Sequence, residues 1–91
     1  MRLTPAQLAV LKRMADGWRL WWNALPVPHR PAIHWHPPNG GGDSPRNPNP
    51  ATVGRLYDLV LIRCAHRDWR GSTLTITPAG RKAVGDADAK A

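Results

Sequence analysis

PATVGRLYDLVLIR, residues 50–63, is where a helical period, a helix start and a following strand pattern meet. Val53, Leu56, Tyr57, Val60 and Leu61 fall at i, i+3, i+4, i+7 and i+8, the spacing of one apolar stripe along a helix. Arg55 and Asp58 lie off that stripe. A helix with one face in a core and Thr52, Arg55 and Asp58 on the other, in a chain of net charge +7, is a candidate reader of nucleic acid.

Downstream, Ile62-Arg63-Cys64 and Leu74-Thr75-Ile76-Thr77 alternate as strands, joined by residues 65–73 as a basic loop with Asp68-Trp69-Arg70-Gly71 near its tip. Thr77 as N-cap and Pro78 at the first helical position then open a short helix. Gly85 is expected to close it, with residues 86–91 as a frayed tail. Upstream, residues 37–50 (PPNGGGDSPRNPNP) hold five prolines, three glycines and no large apolar side chain, which predicts a mobile loop. Its glycine run is no phosphate-binding loop, because no Lys-Ser or Lys-Thr pair follows it.

Before that loop, Trp18-Arg19-Leu20-Trp21-Trp22 and Ala32-Ile33-His34-Trp35-His36 read as two strands, separated by a segment broken at Pro26, Pro28 and Pro31. If they pair, Ile33 and Trp35 join Leu20 and Trp22 inside, leaving Trp21, His34 and His36 on the outer face. The chain opens with a helix start. Thr4, Pro5 and Gln7 supply N-cap, N1 and N3 of a capping box, with Leu3 and Leu8 as its hydrophobic staple. That helix should run from Pro5 to about Asp16, turn Leu8, Leu11, Met14 and Ala15 inward, and end on Gly17.

These elements predict one α+β domain over residues 1–85, and 91 residues leave no room for a second core. Thirteen Lys and Arg face six Asp and no Glu, and eleven of the cations lie between Lys12 and Lys82, so the folded body itself is basic. Such a balance favours a polyanionic partner over simple solvation. Cys64 is the only cysteine, which removes any internal disulfide and fits a reducing, cytoplasmic setting. No apolar run approaches the length of a membrane span, and Lys12 and Arg13 interrupt any export signal, so no membrane partner is expected.

Three stretches together resemble the winged helix-turn-helix proteins, especially small bacterial and phage members similar to the MarR and PadR regulator families. They are Leu3-Thr4-x-x-Gln7-x-x-x-Leu11, then Thr52-Val53-x-x-Leu56-x-x-Leu59-Val60-Leu61-Ile62, then residues 74–81, and they cover somewhat over half of the chain. The resemblance implies that the central helix enters a major groove and that the hairpin is the wing. It puts Thr52 and Arg55 in the leading part of the recognition helix and Arg67 and Arg70 on the wing. The helix that should precede the recognition helix has its place taken by the Trp-rich strands and the Pro/Gly loop. Val60 stands where many relatives carry glycine, which implies that the helix continues or ends differently.

From the residues themselves, Arg46, Asn47 and Asn49 flank the start of the central helix and can donate to phosphates together with its free N–H groups. Arg55 can contact guanine or phosphate, or pair with Asp58 one turn on. Arg63, His66, Arg67 and Arg70 can neutralise phosphates. Trp69 can stack on a base or fold back over the base of the hairpin. His34 and His36 with Cys64 and His66 offer four zinc-ligand types, but nothing in the sequence joins the two pairs, and no metal or other cofactor is expected. No paired carboxylates and no Ser-His or Cys-His arrangement support catalysis, so the chain is not expected to be an enzyme.

The leading expectation is therefore a small regulator that binds duplex DNA through Arg46, Asn47, Asn49, Thr52, Arg55, Arg63, Arg67 and Arg70. The alternative is a phage-type inhibitor or interaction module that grips an acidic or nucleic-acid-binding protein through Trp21, His34, His36, Trp69 and the Pro/Gly loop. Single-stranded nucleic acid stacked on Trp21 and Trp69 is a third reading. Homodimerisation stays open, since no long helix encodes it.

Overall fold

The computed structural model describes residues 2–24, 32–38 and 46–89. Among the described residues, three helices and a four-stranded antiparallel sheet form a small α+β fold. Helix α1 (Pro5–Ala15) begins with the expected capping box: Gln7 N–H donates to Thr4 Oγ1 at 3.1 Å, and Thr4 N–H donates to Gln7 Oε1 at 3.0 Å. Val10, Leu11 and Met14 are its buried residues, while Leu3 and Leu8 pack partly buried against the same core. The sequence stripe had omitted Val10. Gly17, at φ 103°, takes the left-handed position just past the helix, and the N–H groups of Gly17 and Trp18 close onto the carbonyls of Met14 and Arg13.

Strands β1 (Arg19–Asn23) and β2 (Ile33–His36) pair antiparallel, with Leu20 opposite Trp35 and Trp22 opposite Ile33. This is the expected arrangement: Leu20, Ile33 and Trp35 enter the core, Trp22 packs partly buried against it, and Trp21, His34 and His36 share the outer face. The connecting residues 25–31 lie outside the described residues. So do residues 39–45, half of the expected mobile loop 37–50, while Pro50 at its end belongs to the next helix.

Helix α2 (Pro50–Asp58) is capped by Asn49, whose Oδ1 accepts from Ala51 N–H at 2.8 Å. Val53 and Leu56 are fully buried, but Tyr57 and Val60 of the expected stripe are 46% and 65% exposed. The helix stops at Asp58, so the helical period does not extend to Val60. Val60, at φ 60°, closes the end instead: its N–H donates to Tyr57 O at 3.0 Å, and Leu61 N–H donates to Leu56 O at 3.1 Å. That is the Schellman pattern, with buried Leu56 and Leu61 at its two hydrophobic positions and valine where glycine usually stands.

Strands β3 (Ile62–Asp68) and β4 (Gly71–Ile76) form a hairpin much longer than the sequence suggested. Residues 65–68 are strand, and Trp69 and Arg70 alone form the tip. The sheet order is β2-β1-β4-β3, so β1 lies beside the second strand of the hairpin. A bulge at Ala65 interrupts β3, since Cys64 pairs with Leu74 and His66 with Thr73. Without the bulge, alternation would put Arg63 and Arg67 on one face. With it, Arg67 lies opposite Ser72, on the face of Cys64 and Leu74.

Thr77 ties the last helix to the end of α2. It is buried, its N–H donates to Leu61 O at 3.0 Å, its hydroxyl donates to Val60 O at 2.8 Å, and Oγ1 accepts from Gly80 N–H at 3.0 Å. Helix α3 (Pro78–Ala89) runs through Gly85 and includes residues 86–89 of the expected tail; residues 90 and 91 lie outside the described residues. It packs on α1, with Val84 in the core and Lys12 paired to Asp88 at 3.0 Å. Gly80 is buried where a Cβ would meet the Leu61 carbonyl and come within 2.7 Å of Ile76 Cγ1, so close packing of α3 requires glycine there. No helix among the described residues is long and apolar enough to cross a membrane.

Candidate nucleic-acid interface

Burial of Val53 and Leu56 turns the opposite side of α2 outward, and Arg55 and Asp58 are exposed there, with Thr52 half-buried on the flank. No ion pair joins Arg55 to Asp58 among the described residues. Arg46, Asn47 and Asn49 are exposed on the approach to the helix. Asn49 spends its side-chain oxygen on the cap, which leaves its amide N–H groups as donors.

Trp35 fixes that approach, a role the sequence did not reveal. Its indole Nε1–H donates to Arg46 O at 3.2 Å, its ring meets Trp18 edge-on at 6.1 Å, and the Arg13 guanidinium lies over Trp18 and Trp35 at 5.3 and 5.8 Å. A core indole thus holds the backbone of a candidate phosphate contact. The signal was the single apolar-facing Trp of β2, whose N–H needs a partner when buried.

Between α2 and the hairpin runs a groove of about 550 Å³, lined by Gly54, Tyr57 and Asp58 on one side and Arg67, Asp68 and Ser72 on the other, with Trp22, Cys64 and Leu74 beneath. Arg67, whose Nε–H donates to Ser72 Oγ at 3.4 Å, is the one hairpin arginine that shares this groove with the helix. Arg63 and His66 belong to the other face by register. The expected set of hairpin cations is therefore divided between two faces.

Arg70 is engaged at the turn. Asp68 Oδ1 accepts from Arg70 N–H at 2.8 Å and from Gly71 N–H at 3.2 Å, while the Arg70 guanidinium meets Asp68 Oδ2 at 3.4 Å. These contacts, the Arg70 backbone N–H first, hold the Asp68 carboxyl below its ordinary value of 3.8 against a smaller opposing effect of desolvation. Arg70 also lies over the Trp69 ring at 5.7 Å. Trp69 is 75% exposed at the tip and does not fold back over the base of the hairpin.

The two candidate zinc pairs do not meet, because β2 and β3 are opposite edges of the sheet. No group of three His, Cys, Asp or Glu converges among the described residues. Cys64 packs against the core and its Sγ–H donates to His66 O at 3.3 Å. Trp21 is half-buried, with its indole N–H donated to Asn23 Oδ1.

Helix and hairpin together define a small α+β domain with a groove that carries one arginine and two aspartates over an apolar floor. Comparison with known proteins finds no matching family model, no matching curated protein and no matching solved structure.

Proposed function

We propose that this chain is a small duplex-DNA-binding protein, of the kind that regulates transcription in bacteria or phages, built on a winged-helix frame. The observation that carries this reading is the groove in which Arg67 of the hairpin faces the exposed side of α2, with Arg55 and Arg46 outside it. Pairing of β1 with the hairpin supports the frame, as do the glycine-type helix end at Val60 and the Thr77 contacts to it. Among the described residues, strands β1 and β2 stand in the interval where that frame ordinarily carries a helix between its first helix and the recognition helix. Of the two aspartates in the groove, Asp68 is already neutralised by Arg70, and Asp58 is the one that disfavours close approach of a phosphate.

A protein-binding reading has one specific observation in its favour, the largely exposed Trp69 at the hairpin tip. Substitution separates the two. DNA binding predicts that Arg55→Ala and Arg67→Ala each weaken duplex affinity about three- to tenfold and flatten its salt dependence, while Trp69→Ala leaves both unchanged. Unaltered affinity in the folded arginine variants would refute the DNA reading.

A further inference from the structure

His34 and His36 sit two residues apart on edge strand β2, so both imidazoles project from the outer face of the sheet. Their Nε2 atoms stand 3.0 Å apart, with ring centroids 4.9 Å apart and planes tilted by 31°. Two nitrogens that close either share a proton or share a cation. Bound to one transition-metal ion, each at about 2.0–2.1 Å and separated by an angle between a right angle and the tetrahedral one, they would stand about 2.8–3.4 Å apart. The observed separation lies within that interval.

The surroundings fix one ligand in advance. Trp21 stacks on His36, with centroids 6.2 Å apart and planes at 15°, and Trp21 is itself held by its N–H bond to Asn23. Both rings belong to a paired stretch of sheet, so the chelating geometry needs little reordering. Arg19, opposite His36 on the same face, opposes added positive charge, and no carboxylate or thiolate joins the pair among the described residues. Imidazole nitrogens suit copper, nickel and zinc, and are poor ligands for magnesium or calcium.

We infer that His34 and His36 form a two-imidazole binding site for a divalent late transition-metal ion, copper(II) before nickel(II) and zinc(II), with solvent completing the coordination. The site is on the opposite side of the sheet from the α2 groove, and it does not rest on the DNA-binding reading. Copper(II) held by His36 lies beside the Trp21 ring and quenches its fluorescence.

The test is a titration of the full chain with copper(II) chloride, followed by tryptophan fluorescence and by calorimetry. The wild type is expected to bind one ion with saturable quenching, and a large excess of zinc(II) chloride should reverse the quenching where the same excess of magnesium chloride does not. His34→Gln/His36→Gln should raise the midpoint at least about tenfold, whereas His66→Gln on the far edge should leave it unchanged. Trp21→Phe should retain the calorimetric binding and lose most of the quenching. Circular dichroism verifies the fold of each variant, and either single histidine substitution serves if the double variant does not fold. The same midpoint in the folded histidine variants as in the wild type, or no stoichiometric binding to the wild type, would overturn the site and leave the pair as a histidine–histidine hydrogen bond.

Discussion

At the scale of single residues, the most informative comparison is between Gly17 and Val60, which occupy the same position past the ends of α1 and α2. A left-handed conformation is free of penalty for glycine and costs an L-residue about 1–2 kcal/mol. Val60 is 65% exposed, so its side chain recovers little by burial. Val60→Gly should therefore stabilise the fold by about 1 kcal/mol, or roughly 4–8 °C in Tm, and Gly17→Val should destabilise it by at least as much, as thermal unfolding would show. Asp68 gives the second residue-level prediction. Its carboxyl is held below 3.8, so the contribution of the turn to stability is fully present above that pH and is lost as pH falls through the lowered value. In an NMR pH titration, the Arg70 and Gly71 amide signals should move together, with a midpoint below the ordinary carboxylate value. A midpoint at or above it would contradict the account of the turn.

At the scale of elements, α1 and the β1–β2 pair were legible because their signals are local: a capping box in four adjacent residues, and alternation of Leu20, Trp22, Ile33 and Trp35. The end of α2 was not, because Val60 and Leu61 continue the helical period and no glycine marks the stop. The hairpin was read too short because Ala65, His66, Arg67 and Asp68 show no alternation of large apolar side chains, and because a bulge is a property of two strands together. Helix α3 runs past Gly85 since α1 supports it from the side, and a Cβ at Gly85 would meet nothing within 4 Å. Gly85→Ala should thus raise stability by about 0.8–1 kcal/mol in denaturant unfolding. The bulge also makes a binding prediction. Arg67→Ala should weaken duplex DNA binding several-fold more than Arg63→Ala, because only Arg67 shares the groove with α2. Equal losses in a DNA titration would mean that the hairpin acts as a whole and that the groove is not the contact.

At the scale of the whole molecule, net charge, α+β class and the candidate arginines could all be read from the sequence, but their distribution over the surface could not. Arg13 is a cover for two indoles in the fold, and Arg70, a candidate phosphate contact in the sequence, is a partner of Asp68. Arg46, Arg55 and Arg67 remain exposed around α2, with Arg63 on the other face of the hairpin. If these three arginines each neutralise a phosphate, affinity for duplex DNA should fall by roughly one and a half orders of magnitude between 50 and 200 mM salt. The most direct measurement is a titration of the purified chain against labelled random-sequence duplex and single-stranded DNA at those two salt concentrations, beside a folded Arg55→Ala/Arg67→Ala variant. The account predicts salt-sensitive binding that favours duplex and is lost in the variant. No duplex binding at low salt, or binding that the variant retains, would contradict it.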